Sequence, residues 1–373
     1  MKKPSLAIIK KDFHFSGGLE KVASRILDVF MKKEIDVTVY TSSKAPFPCP
    51  SISYQPKGLL KVQRLKDFDR WAALQTTKHP VIFSMDRCSR QTHHRAGNGV
   101  HAAYLDIRSQ IEGRLRELSF TLNPLHRLQL ALEKRTFESP ETKVIIVNSA
   151  MVRQQILNFY KTPAKKIHVI HNGVEWKELQ ADFNDSMSHR KKYATALGLD
   201  PSVYQFLFVG HNFKRKGLDT LLEALSMLTN KNFHLSVVGN DKKLDFYKIL
   251  ARRLGLESQV TFYGEQLSSR PYYLASDALV IPSIYDPFAN VTVEALALGL
   301  FVVTSKMNGG HEVLQSHSGV IIEDSQNAEE LAAALETAMD NPKDTHRALE
   351  IRSTVSHLDY GLQLEKICDL CLG

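Results

Sequence analysis

Cysteine is scarce: Cys49, Cys88, Cys368 and Cys371 are the four in a chain of 373 residues. So few thiols cannot frame a disulfide scaffold, and the Cys368/Cys371 pair sits in an apolar segment rather than after a strand, where a redox pair would stand. Long apolar runs are missing as well. Stretches such as Val144 to Val147 and Ala278 to Ile281 fall far short of the ~20 residues that cross a bilayer. After Met1-Lys2-Lys3-Pro4 only Leu6 to Ile9 is apolar before Lys10 and Lys11, so no secretory leader is expected. The expectation is a reduced, cytoplasmic protein. With 43% hydrophobic and 24% charged residues, disorder and a fibrous repeat are excluded, and the length predicts two domains.

Acidic residues are in short supply in one half only. Through Asn172 there are 14 Asp and Glu against 29 Lys and Arg, a balance of +15; the remainder has 26 against 19, a balance of −7, which the net charge of +8 conceals. A basic half attracts a polyanion, whether nucleic acid, anionic lipid headgroups or a phosphorylated substrate.

Short apolar runs alternate with amphipathic stretches of helical length, the pattern of an α/β protein with parallel sheets. Strands are predicted at Leu6 to Ile9, Val37 to Tyr40, Val81 to Ser84, Val144 to Val147 and Ile167 to Ile170, then at Phe206 to Val209, Leu235 to Val238, Val260 to Tyr263, Ala278 to Ile281, Phe301 to Thr304 and Val320 to Ile322. Each half reads as doubly wound. Val174 to Pro201 is polar and carries no strand, which divides the chain into domains over residues 1–173 and 174–354, with the segment 355–373 packing back on the first. A cleft between two such domains is the expected ligand site.

Three segments could carry chemistry. His14-Phe15-Ser16-Gly17-Gly18-Leu19-Glu20 follows the first strand and opens a helix, where glycines admit a ligand close to the backbone and free N–H groups favour an anion. Gly210-His211-Asn212-Phe213-Lys214-Arg215-Lys216-Gly217 stands at the same place in the second half. Its cations suit a diphosphate, Arg as a planar fork and Lys as a point charge, and could stabilise a departing nucleotide diphosphate without a metal. The third runs from Asp286-Pro287-Phe288-Ala289-Asn290 to Glu294, with Asp286 in a loop and Glu294 about one turn into a helix. Here two carboxylates face one ligand, and the amides of Phe288, Ala289 and Asn290 are expected to be unpaired and ready for sugar hydroxyls or an anion.

These segments together resemble the retaining glycosyltransferases of family 4, with the GT-B fold of two Rossmann-like doubly wound domains facing a cleft. The resemblance covers nearly the whole chain and rests on Gly-x-x-x-x-Arg-Lys-Gly after a strand, an acidic residue followed after seven residues by Glu, Gly17-Gly18, Val169 to Val174, and Gly309-Gly310-His311-Glu312. Within the family it is most similar to lipopolysaccharide core glucosyltransferases. It implies that Arg215 and Lys216 grip the donor diphosphate and that Glu294 binds the donor ribose. Gly17, Gly18, Phe288, Ala289 and Asn290 would also bind the donor, and His101 would act close to the reacting centre. Asp286 would lie against the transferred sugar, at a position where the family usually has Glu and therefore with one methylene less.

The implied reaction is transfer of a hexose, glucose first among the choices, from a nucleotide diphosphate sugar such as a UDP-sugar, with retention of configuration. The nucleotide sugar is a co-substrate; no cofactor and no metal are expected. Asp67-Phe68-Asp69 spells a metal-binding D-x-D, but between Lys66 and Arg70 it reads as a solvated helix face. On the acceptor side, Arg87, Arg90, His93, His94 and Arg95 are expected in a loop after the Val81 to Ser84 strand, which suggests a phosphorylated or acidic lipid-linked saccharide. From Ile107 to Phe137, Arg and Lys alternate with leucines in a way that suits an anionic membrane surface. The protein is thus expected as a peripheral enzyme on the inner face of the plasma membrane, with no nucleic acid partner. Teichoic, capsular or glycolipid acceptors are alternatives, and the rival from another class is a non-catalytic polyanion binder with a degenerate sugar site.

Overall fold

The structure, a computed structural model, describes residues 5–13, 18–33, 35–44 and 46–372, with the backbone alone at residues 18–22 and 114. The chain divides into two compact units, one of residues 1–171 and 361–373, the other of residues 172–360.

The first unit holds strands β1 (Ser5–Ile9), β2 (Asp36–Thr41), β3 (Ser51–Ser53), β4 (Val81–Ser84), β5 (His93–Arg95), β6 (Val144–Val147) and β7 (Ile167–Val169), and helices α1 (Gly18–Lys32), α2 (Lys61–Gln75), α3 (His101–Glu112), α4 (Arg114–Leu122), α5 (Pro124–Glu138) and α6 (Ala150–Phe159). Its seven strands form one parallel sheet in the order β3-β2-β1-β4-β5-β6-β7. Two of these strands, β3 and β5, were not among the predicted ones. The correction at β5 matters for function. His93, His94 and Arg95 are not in a loop: they pair with Phe83 and Ser84 of β4 on one side and with Val144 to Ile146 of β6 on the other, and all three are buried. The backbone of this short segment completes the sheet, and that demand overrides side chains that would otherwise seek water.

The second unit holds α7 (Gln180–Ala196), β8 (Tyr204–Val209), α8 (Phe213–Lys216), α9 (Leu218–Met227), β9 (Phe233–Val238), α10 (Leu244–Arg253), β10 (Val260–Gly264), α11 (Arg270–Ala275), β11 (Ala278–Ile281), α12 (Asn290–Ala297), β12 (Phe301–Ser305), β13 (Gly319–Ile322), α13 (Ala328–Met339) and α14 (Thr345–Ser353); α15 (Tyr360–Leu372) leads back into the first unit. The polar stretch from Val174 to Pro201 contains α7, which is kinked at His189. Six parallel strands run β10-β9-β8-β11-β12-β13. Phe206, Leu207 and Phe208 of β8 and Leu279, Val280 and Ile281 of β11 have no solvent exposure, because helices cover both faces of such a sheet. Strand order reverses between β8 and β11. At such a switch point the loops beyond the strand ends part, and ligands enter.

Candidate active site

The loops after β8 and β11 meet at this switch point. Gly210 ends β8, and a Cβ on Gly239 would lie 2.0 Å from the Gly210 carbonyl oxygen, so the backbone after β9 presses directly on this turn. Asn212 takes a left-handed conformation (φ 56°) and accepts the Arg215 N–H at 3.3 Å, which winds Phe213 to Lys216 into one helical turn. Phe213 is buried and anchors the turn, while its N–H donates to Asp241 Oδ2 at 2.8 Å. Ile284 N–H then donates to the Arg215 carbonyl (3.0 Å), and Arg215 Nη1 to the Tyr285 carbonyl (3.0 Å), which binds the two loops to each other.

Arg215 and Lys216 converge on Asp286. Its Oδ2 accepts from Arg215 Nη1 at 2.9 Å and from Lys216 Nζ at 2.7 Å. Lys216 and Asp286 are each 7% exposed. Burial alone would raise the Asp286 pKa, but Lys216 and Arg215 outweigh it and hold the carboxyl below its ordinary value. The carboxylate therefore stays ionised.

Two of the three amides expected to be unpaired are taken, which corrects that reading. Phe288 N–H donates to Asp286 Oδ1 at 3.2 Å, and Ala289 N–H donates to Asn308 Oδ1 at 2.9 Å. Asn290 opens α12, and its side-chain oxygen accepts from Asn172 Nδ2 at 2.7 Å. The physical reason is that buried amides find side-chain acceptors when backbone ones are out of reach. Glu294 lies one turn into α12, half-buried, and accepts from Tyr273 Oη at 2.9 Å. Burial, with Glu294 beside it, holds the Tyr273 phenol well above its ordinary pKa, so it remains a donor.

Asn308 escaped the sequence reading although it organises this region. Fully buried, it accepts from Ala289 N–H and Gly310 N–H (3.0 Å) and donates to Thr292 Oγ1 (3.1 Å) and Thr304 Oγ1 (2.9 Å). Its flanking backbone pairs with Asp286: Asp286 N–H donates to the Met307 carbonyl and Gly309 N–H to the Asp286 carbonyl, each at 2.9 Å. An Asn directly before Gly309-Gly310 is a turn signal. It was the available clue.

In the first unit Gly18 is the first residue of α1, and Gly17 lies outside the described residues. His101 opens α3, and its Nε2 stands 3.0 Å from His126 Nδ1. Burial, then the charge of Arg87, lowers its pKa to about 4, so the imidazole is neutral near pH 7. A second residue that escaped the sequence reading, Glu133 of α5, holds this turn. Wholly buried, it accepts the N–H groups of His101 (2.7 Å) and Ala102 (3.0 Å), the Tyr160 hydroxyl (2.6 Å) and Arg87 Nε (2.5 Å). Arg87 is consequently engaged with Glu133 and the Gly99 carbonyl (2.8 Å), and Arg90 stands 3.8 Å from Glu141. Of the basic loop expected to meet the acceptor, Arg87 and Arg90 stand between β4 and β5, whereas His93, His94 and Arg95 lie inside the sheet.

The segment from Ile107 to Phe137 spans three helices. α5 buries Leu132, Thr136 and Phe137. α4 buries Phe120, but its Leu115, Leu118 and Leu122 are 86%, 60% and 78% exposed, at spacings that place them along one helix face. Arg108 and Arg116 lie over the Phe120 ring and share Glu112. Asp67 and Asp69 serve separate bonds, Asp67 accepting from Tyr54 Oη (2.9 Å) and Lys57 N–H (2.7 Å), Asp69 from Ser89 N–H (2.7 Å). Among the described residues no group of three or more His, Cys, Asp or Glu is placed to hold a metal ion, and no helix is long and apolar enough to cross a membrane.

Residues 16–177 match Glycosyltransferase Family 4, and residues 189–352 match Glycosyl transferases group 1. An uncharacterised glycosyltransferase of Methanocaldococcus jannaschii is 30% identical over 48% of this chain and 46% of its own length, about half of each. The lipopolysaccharide glucosyltransferase WaaG of Escherichia coli K12 is 25% identical over 87% of this chain and 86% of its own. The crystal structure of WaaG superimposes with a TM-score of 0.82 at 23% identity, covering 99% of this chain and 100% of that one; HepE of Anabaena, solved with UDP and glucose, gives 0.70 at 19% identity over 98% of each. The two parallel sheets with their surrounding helices are the GT-B fold. With a family 4 domain followed by a group 1 domain, the chain belongs to the GT-B glycosyltransferases.

Proposed function

We propose that the protein transfers a hexose, glucose, from a UDP-sugar to a lipid-linked saccharide of the lipopolysaccharide core type at the cytoplasmic membrane face. The observation that carries the donor half is the convergence of Arg215 and Lys216 at the switch point between β8 and β11, in the loop pair that leads into the helix of Glu294. Two fixed cations suit the charge that gathers on a departing diphosphate, and they need no reorganisation as it leaves. In this reading Glu294 accepts the hydroxyls of the donor ribose, and the Asn290 end of α12 faces the donor.

The acceptor hydroxyl attacks the anomeric carbon from the side on which the diphosphate departs. The bond from that carbon to the phosphate oxygen breaks as the new glycosidic bond forms, and the hydroxyl proton passes to the departing phosphate. Arg215 and Lys216 supply the positive charge in place of a metal. A neutral His101 positions a hydroxyl rather than pairing with an anion. The name of WaaG, similar over most of both chains, supports the choice of glucose and of the acceptor, and HepE bound to UDP-glucose supports the choice of nucleotide. The exposed leucines of α4, flanked by arginines, favour a membrane surface beside the acceptor.

The test is hydrolysis of a panel of UDP-, GDP- and ADP-sugars with EDTA present, with Lys216→Ala run in parallel. Preference for one sugar, with turnover lowered in the variant by about 2 to 4 kcal/mol of transition-state stabilisation, is the expected result. Wild-type turnover in Lys216→Ala would remove the diphosphate assignment.

A further inference from the structure

The pair of cations assigned to the diphosphate already holds an anion of the chain's own. We infer that Asp286 is an internal counter-ion with which a bound diphosphate shares Arg215 and Lys216, so that it limits how tightly the nucleotide product is held instead of reading the transferred sugar. The inference rests on the nucleotide-sugar reading above and assigns Asp286 a different task from the one the family resemblance implies.

Three observations support it. First, both carboxylate oxygens are engaged, Oδ2 by the two cations and Oδ1 by the Phe288 N–H. Second, the residue cannot swing toward a sugar. Its N–H and carbonyl are pinned to Met307 and Gly309, Pro287 follows it, and the side chain is 7% exposed. Third, the cations retain donors toward a second anion. Arg215 uses Nη1 for Tyr285 and Asp286, leaving Nε and Nη2 outside these bonds, and Lys216 spends one of its three protons on Asp286.

The charge count follows. Two cations and one carboxylate present a net charge of about +1 to a diphosphate, whereas the cations alone would present about +2. A carboxylate at this distance opposes a second anion on the same cations. At an effective dielectric of about 20 to 40, one unit charge some 6 Å away changes affinity by about tenfold or more. An enzyme that must release its nucleotide each cycle gains turnover from that opposition.

The experiment is calorimetric titration of wild type, Asp286→Asn, Asp286→Ser and Asp286→Glu with inorganic pyrophosphate, UDP and UDP-glucose, each variant first checked by thermal unfolding. Both neutral variants are expected to bind pyrophosphate and UDP about tenfold more tightly, with a steeper salt dependence, and Asp286→Glu to stay close to wild type. Two neutral replacements keep the test standing if one does not fold. Unchanged pyrophosphate and UDP affinities, with UDP-glucose alone weakened, would show a sugar contact and overturn the inference. If wild type binds UDP but the folded neutral variants bind it less well, Asp286 is merely a tether for Lys216, and the inference also falls. Absence of binding by wild type to any of the three probes would instead overturn the nucleotide reading, and this inference with it.

Discussion

A Cβ on Gly217 would lie 2.1 Å from the carbonyl oxygen of Pro282. The loop of the two cations and the loop of Asp286 thus touch backbone to backbone, at a residue whose φ of 79° disfavours any side chain. Gly217→Ala is expected to cost about 2 to 4 kcal/mol, about 1 from the left-handed conformation and the rest from overpacking. Denaturant unfolding of the variant checks this. Nucleotide affinity should fall with it, because relief of the clash moves Arg215 and Lys216 out of the geometry that meets the diphosphate. A variant as stable as wild type would mean the two loops are not so tightly fitted.

Tyr273 and Glu294 offer a test of the ribose assignment. Glu294→Ala should weaken UDP and erase any preference for UDP over its 2′-deoxy form, whereas Tyr273→Phe should only reduce it. Loss of a hydrogen bond to a charged group is worth about 1.5 to 3 kcal/mol. Competition titrations with both nucleotides read the difference directly. Equal losses of ribose and deoxyribose nucleotides in Glu294→Ala would place this carboxylate elsewhere.

His94 of β5 makes stability depend on pH. Burial first, then Arg87, lowers the His94 pKa from 6.5 to about 3. Between those values the unfolded chain binds a proton that the folded one refuses. Its contribution is therefore fully present above about pH 6.5, erodes as the pH falls, and levels off near pH 3, with a slope of up to about 1.4 kcal/mol per pH unit for one such group. His94→Phe keeps a ring beside Phe137, which His94 meets edge to face at 5.8 Å. Unfolding free energies measured from pH 7 to pH 4 should lose about one proton's worth of slope in this variant. An unaltered slope would mean that His94 is protonated in the folded protein.

The proposed membrane contact is tested at α4. Replacing Leu115, Leu118 and Leu122 together with serine removes only exposed apolar surface, so folding should be spared. Co-sedimentation with vesicles containing phosphatidylglycerol should fall by about a hundredfold or more, since burying each leucine is worth on the order of 1.5 kcal/mol. Retained binding by the triple variant would exclude α4 as the contact. Equal binding of wild type to neutral and anionic vesicles would remove the electrostatic contribution.

Among the described residues, eleven of the thirteen strands announce themselves as apolar runs, because a parallel strand covered on both faces needs nonpolar side chains throughout. Ser51–Ser53, exposed at the sheet edge, and His93–Arg95, buried by its neighbours, carry no such signature. In the site, Arg215, Lys216, Asp286 and Glu294 are legible because cations and carboxylates after strands are conspicuous. Glu133 and Asn308 are not, since what distinguishes them is the set of partners that distant segments bring. The amides of Phe288 and Ala289 were misjudged for the same reason: helix geometry says that they lack backbone acceptors, but not which side chain will arrive.

The division of the chain has a consequence for its synthesis. Residues 172–360 form a continuous unit, whereas the first unit is split and includes residues 361–373. On the ribosome, every residue of the unit 172–360 has been made before α15 is complete. The first unit is thus not whole until residues 361–373 have been made, and apolar surface left open in that interval is what would need protection from aggregation.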